Sequence, residues 1–212
     1  MPRQNRVTPT GEIVAAPERG TLMGNRGCLH DSQGRLGRAR WRTRTWIACL
    51  TEFRGRRRAL MQPGGYTELF FLDEATAFAA GHRPCAECRR DAYRRFAAAW
   101  RAGHGLSPDA SLRAAALDAA LHAARIDPLT QAQRRAPARL GDLPEGAMVV
   151  QDGAADVPLL WWAGRLRPWS HAGYGAGRVA DPDETVAALT PAPILAAFAG
   201  GYRPAVDASA AG

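Results

Sequence analysis

Hydrophobic and polar positions change period several times along the chain. In WRTRTWIACLTEF (41–53), Trp41, Thr43 and Thr45 fall on one parity and Arg42 and Arg44 on the other. That is the two-residue period of a strand, ending near Cys49. RGRRRALMQ reads as a turn and return strand, QPGG (62–65) as a turn, and YTELFFL (66–72) as a second, aromatic strand. DEATAFAAG then predicts a two-turn helix, with Asp73 as its N-cap and Gly81 as its stop. Over 89–103 the period becomes helical: Tyr93, Phe96 and Trp100 recur at i, i+3 and i+7, opposite Arg90, Arg94 and Arg101. An alanine-rich helix is predicted within 105–127. GAMVVQ and VPLLWWAGRLRPWS read as strands of a hairpin or small sheet, HAGYGAG as a glycine loop, and ALTPAPILAAFAGGYRP as a short helix opened by proline.

These elements predict an α+β fold: a small mixed N-terminal module of strands and short helices packed with a smaller mixed α/β C-terminal half. The expected division is a flexible lead-in at 1–20, a module at 21–103, an alanine-rich helical segment at 104–127, a Pro-, Arg- and Gln-rich loop or linker at 128–146, a C-terminal α+β region at 147–205 and a frayed tail at 206–212. No internal repeat is present.

Composition sharpens this picture. Hydrophobic residues make up 46% of the 212, enough for a real core. No apolar run approaches the roughly 18–20 residues of a membrane helix, and the first 20 residues lack the apolar stretch of a secretory signal. The expectation is a cytoplasmic protein with no membrane partner. All 28 basic residues are arginine. Residues 1–100 hold 18 arginines against 9 acids, a net of +9; residues 101–212 hold 10 against 11, a net of −1. Nine arginines lie between 35 and 58, with Trp41 and Trp46 among them. Arg42, Arg44, Arg54, Arg56, Arg57 and Arg58, with Arg89 and Arg90 after the second cysteine pair, are the candidate nucleic-acid contacts. Arginines interleaved with aromatics suit a phosphate-tracking, base-stacking surface, and DNA is the expected partner. A solvated basic face is the competing reading.

The four cysteines stand at 28, 49, 85 and 88. Disulfides do not persist in a cytosolic chain, so four cysteines with one CxxC point to metal or redox chemistry. Two residues between sulfurs let a knuckle aim both at one ion, and a following helix N-terminus favours their thiolates. A structural zinc takes four ligands. Cys85 and Cys88 supply two, Cys49 is a third, and the fourth is expected from GCLHD, as either Cys28 or His30. The Ala86-Glu87 pair between the sulfurs is not that of a thioredoxin-like redox motif, and burial of the cysteines as plain apolar residues is the remaining alternative. His82, His104, His122 and His171 read as packing or surface residues. Three Trp, two Arg, a His and a Tyr crowd LLWWAGRLRPWSHAGYG, which is core or, alternatively, a base pocket. No Walker loop, GxSxG or defensible nuclease carboxylate cluster appears.

YTELFFLDEATAFAAGHRPCAECRR (66–90) resembles the N-terminal zinc domain of the Ada DNA-repair protein, the methylphosphotriester-binding type. Ala80, Gly81, Arg83, Pro84, Cys85 and Cys88 match its motif, with His82 in the aromatic position. The resemblance covers about 25 residues and implies a four-ligand zinc and contact with DNA phosphates. It departs before the knuckle: the Ada pattern has two cysteines four residues apart, and here the fourth residue after Cys49 is Phe53. Methyl transfer to Cys49 is therefore not carried over. The functions left open are a zinc-dependent nucleic-acid-binding protein, a nuclease or repair enzyme sited between the zinc module and the Trp/His-rich half, and a module that docks on another protein.

Overall fold

A computed structural model describes residues 2–55, 59–151 and 157–212. The fold is α+β, built on two sheets with helices between and beside them. The N-terminal sheet has six strands: β1 (Gln4–Val7), β2 (Ile13–Ala15), β3 (Leu22–Asn25), β4 (Ile47–Leu50), β5 (Leu69–Phe71) and β6 (Arg83–Pro84). Their order is β2-β1-β5-β3-β4-β6. Pairing is antiparallel except for β1 with β5 and β4 with β6. The helices are α1 (Glu74–Ala79), α2 (Arg90–Gly103), α3 (Ala114–Arg125) and α4 (Ala192–Ala199). The second sheet comprises β7 (Ala136–Arg139), β8 (Met148–Gln151), β9 (Leu159–Trp162), β10 (Arg165–Ser170), β11 (Gly173–Tyr174), β12 (Arg178–Val179) and β13 (Thr185–Ala188). Its order is β11-β10-β9-β8-β13-β7, with β12 also on β10.

α1 is six residues long and every one is buried. A helix so short is marginal on propensity alone, so tertiary contacts hold it. Its alanines allow close approach on two sides. Ala77 packs with Val7, Leu22, Leu69 and Phe71 of the first sheet, while Ala75 and Ala79 pack with Met148, Val150 and Leu160 of the second. Phe78 enters a third cluster with Phe96, Trp100, Leu117, Leu121, Phe198 and Tyr202 from the other three helices and the chain beyond them. Asp73 caps α1, accepting from Thr76 N and Thr76 Oγ1, both at 2.8 Å. Its other oxygen takes Tyr174 OH at 2.8 Å and Asp207 N at 2.9 Å. Burial raises the Asp73 pKa, and these hydrogen bonds oppose the rise. Glu74 accepts from Arg89 at 2.5 Å, Tyr202 OH at 2.7 Å and Ala205 N at 2.9 Å. Both carboxylates of the first turn are thereby tied to the end of the chain.

Four expectations are corrected. Residues 1–20 hold β1 and β2, because their edge pairs with β5 and Val7 enters the core. The tail is not frayed: a 3-10 turn at Ala208–Ala211 buries Ala210 against the second sheet. Segment 128–146 carries β7, whose Pro137 sits on an edge strand where a missing N–H is tolerated. The alternation at 41–46 does not make a strand. Arg42 N and Thr43 N both donate to Arg26 O, and Trp46 Nε1 donates to Thr43 O, so the backbone bends to bury Trp46 before β4 begins.

Candidate metal centre

β4 and β6 run parallel, with Ile47 opposite Arg83 and Ala48 opposite Pro84. One residue further on, Cys85 N donates to Ala48 O at 3.0 Å, which sets Cys85 beside Cys49. The knuckle then turns into α2, and Leu50 N donates to Cys88 Sγ at 3.4 Å. The sulfurs of Cys49, Cys85 and Cys88 lie within 4.8 Å of one another. Tetrahedral thiolates about 2.3 Å from one ion are separated by less than that, so the set fits a soft divalent metal. Electrostatics agree. Cys85 is drawn down to about 5, first by the hydrogen bond from Cys49 and then, against burial, by backbone N–H groups of Cys88 and Glu87. Cys49 is pushed up by giving that hydrogen bond, then by burial and its two sulfur neighbours; Cys88 is pushed up chiefly by burial. A metal bound by these sulfurs would displace the protons they share.

The sulfurs open onto a cleft of about 260 Å³. Its floor is one face of the N-terminal sheet, following the pleat: Met23 and Asn25 on β3, Ile47 and Cys49 on β4, and Glu68 and Phe70 at β5. The opposite parity, Leu22, Ala48, Leu69 and Phe71, faces α1. Thr51, Phe53, Leu60 and Tyr66 form the wall. Glu68 is buried there and accepts from Met61 N at 2.7 Å. The alternation Tyr66–Glu68–Phe70 in YTELFFL carried the signal for this face, since a glutamate on the wet parity of an apolar strand is out of place in a core.

Cys28 and His30 stand apart from the cluster. Among the described residues, no His, Asp, Glu or further Cys joins the three sulfurs within that distance. Cys28 is exposed, its thiol directed to His30 O at 3.6 Å. His30 is buried, with Nδ1 2.6 Å from Thr67 Oγ1 and Nε2 3.2 Å from Gln62 O. Both its nitrogens are committed to fixing the 28–37 loop onto the chain before β5.

The arginines divide. Arg42, Arg44, Arg54 and Arg90 are exposed, and Arg54 lies over the Phe53 ring at 5.0 Å. Arg89 is withdrawn from any interface by its ion pair with Glu74. Arg56, Arg57 and Arg58 lie outside the described residues. Trp161, Trp162 and Trp169 are half-buried against the clusters of the second sheet, and Trp169 Nε1 donates to Thr76 Oγ1 at 3.0 Å, so this aromatic group is core. His82 is fully buried between Trp46 and Phe71, while His104 stacks on Trp100 and His122 and His171 meet Trp41 and Trp169 edge to face. Among the described residues no helix is long and apolar enough to cross a membrane. No family model, curated protein or solved structure matches the chain, so its reading rests on this three-cysteine cluster, which can hold a metal ion.

Proposed function

We propose that the protein is a zinc-thiolate protein that engages DNA with the cleft face of its N-terminal sheet. The convergence of three sulfurs at the end of an open cleft carries this reading. Zinc is the metal that an all-thiolate set from a CxxC knuckle and a neighbouring strand suits best. The likeness of residues 66–90 to the Ada zinc domain points the same way, and exposed Arg54 beside the cleft wall supplies charge for a phosphate backbone. A second reading, a zinc-dependent nuclease or repair enzyme, is favoured by one observation. The three cysteines have no fourth protein ligand among the described residues, and an open position facing a cleft is the mark of catalytic zinc. Glu68, Tyr66 and Glu87, which line the same cleft, would then be the candidate proton-handling groups.

Metal analysis of protein purified without added metal should give close to one zinc per chain, and Cys49→Ser, Cys85→Ser and Cys88→Ser should each release it. A value near zero, with four freely titrating thiols, removes the metal reading. Binding of a labelled duplex should weaken with salt at a slope of about −0.9 per phosphate contact. Changing Arg56, Arg57 and Arg58 together to Ser should flatten that slope by roughly two to three. The same number of changes at Arg134, Arg135 and Arg139 should not. No binding at low salt, with zinc in place, removes the nucleic-acid reading and leaves the metal one standing.

A further inference from the structure

On the other face of the same sheet two arginines are buried without counter-charge. Arg26 follows β3 and is 3% exposed; Arg125 ends α3 and is 1% exposed. Both guanidiniums lie over the Trp46 ring, at 4.2 and 3.7 Å from its centre. Arg125 donates to Gly81 O at 2.9 Å and Arg44 O at 2.7 Å, and Arg26 donates to Gly11 O at 2.8 Å. Arg26 Nε, Arg26 Nη2 and Arg125 Nε have no partner among the described residues. The neighbouring carboxylate, Asp118, is spent on Arg83, which grips it through Nε at 2.8 Å and Nη2 at 2.9 Å. That pair is neutral, so two positive charges remain. Burial above all depresses both guanidiniums to about 9, joined by repulsion from Arg40 on Arg26 and from Arg26 on Arg125, yet at neutral pH both remain charged.

A buried charge is tolerated only when paired, and stacking on an indole offsets part of its desolvation, not all of it. The unpaired N–H atoms are themselves covered, but the side chains that carry them border an opening. Arg26, Arg125 and Trp46 line a small cavity with Thr10, Gln133 and, at its exposed rim, Arg40. Its volume is about 20 Å³ to the centre of a water-sized sphere, room for one or two oxygen atoms and not for a whole side chain. Gln133 is fixed by donating from Nε2 to three carbonyls, those of Pro9, Ala79 and Leu189, which braces the wall.

We propose that this cavity is an oxyanion site that takes the oxygens of a phosphoryl group, with Arg26 and Arg125 donating from beneath and Arg40 at the mouth. Guanidinium forks match phosphate oxygens in geometry and charge. The site lies across the sheet from the cysteines and does not depend on the metal. Its ligand is either free phosphate or the phosphodiester of a nucleic-acid strand, and the two sources can be separated.

Calorimetric titration of the full chain with inorganic phosphate, at fixed ionic strength, should show one site. Phosphate at tenfold its Kd should raise Tm by roughly 3–6 °C. Arg26→Met keeps an unbranched apolar chain of similar length against Trp46 while removing the charge and the N–H donors, and should abolish both effects. Arg40→Ser, at an exposed position that does not threaten folding, should weaken phosphate binding several-fold. Titration with a ten-residue oligothymidylate lacking terminal phosphates distinguishes the sources. Competition with phosphate, lost in Arg26→Met, assigns the phosphodiester; no competition assigns the free ion. Chloride stabilising as well as phosphate at matched ionic strength, or phosphate binding unchanged in both variants, overturns the site.

Discussion

Asp118→Ala should cost about 3–5 kcal/mol of stability, the penalty for leaving one member of a buried ion pair alone. Arg83 and Asp118 are 3% and 5% exposed, and two short hydrogen bonds join them. Asp118 also accepts from Thr45 Oγ1 at 3.1 Å. Without the carboxylate, Arg83 keeps only Pro84 O at 3.1 Å and the Tyr93 ring at 5.4 Å. The loss spreads further, because Asp118 is the one attractive charge acting on Arg125, against repulsion from Arg26 and Arg83. A third unmatched charge would thus join the two already buried. Domains of this kind are stable by about 5–15 kcal/mol, so a large share is at stake. Urea denaturation followed by circular dichroism at fixed metal load measures it. The double change Arg83→Met/Asp118→Leu, which removes both charges and keeps most of the volume, should recover most of the loss. Because Arg83 lies two residues before Cys85, the single variant should also bind metal less tightly than the double. A loss under about 1 kcal/mol in Asp118→Ala would refute the reasoning, since it would mean that water reaches Arg83 and the pair is not a buried one.

Two further outcomes follow from histidines. Burial, then Arg26 and Arg125, hold His82 well below its ordinary value, so the folded chain keeps it neutral while the unfolded chain protonates near pH 6.5. Stability is therefore fully present above about pH 6.5 and falls as pH drops below it, by up to about 1.4 kcal/mol per pH unit from this group. His82→Phe should reduce the mean slope of unfolding free energy against pH between 7 and 5.5 by about 0.8 kcal/mol per unit, and an unchanged slope would show that His82 is protonated in the fold. His30→Ala should cost about 1–3 kcal/mol through the loss of its buried hydrogen bonds to Thr67 and Gln62. Zinc content should stay at the wild-type level, and its loss would return His30 to the metal.

What the sequence made legible was local. Asp73 and Gly81 mark the ends of α1, with Gly81 at a φ of +81° just past it, and the Tyr93–Phe96–Trp100 spacing marks the inner face of α2. Those signals rest on caps and on the helical period, which neighbours in the chain decide. Cys49 could be joined to the knuckle because both lie at ends of apolar runs. That neither Cys28 nor His30 joins the cluster could not be read, because the loop carrying both is placed by Thr67, a partner 37 residues downstream of His30 that no pattern announces. β1 and β2 escaped notice for the same reason: strands of four and three residues carry little period, and non-local pairing supplies their order. Arg26 and Arg125 looked like any other of the 28 arginines. Only the fold separates a guanidinium in solvent from one beneath an indole.

The short helix α1 has a consequence for how the chain matures. Its first-turn carboxylates are satisfied by Tyr202, Ala205 and Asp207, residues made some 130 positions later. While the chain is being synthesised, Asp73 and Glu74 must stay hydrated, and a hydrated first turn keeps α1 out of its slot between the sheets. β6 and the knuckle follow directly from α1, so the register that brings Cys85 beside Cys49 is coupled to residues 202–207 reaching the first turn of α1. A chain whose residues 202–207 are not yet in place would hold these three thiols loosely and separately, so the closed sulfur cluster reports that contacts from far along the sequence have formed.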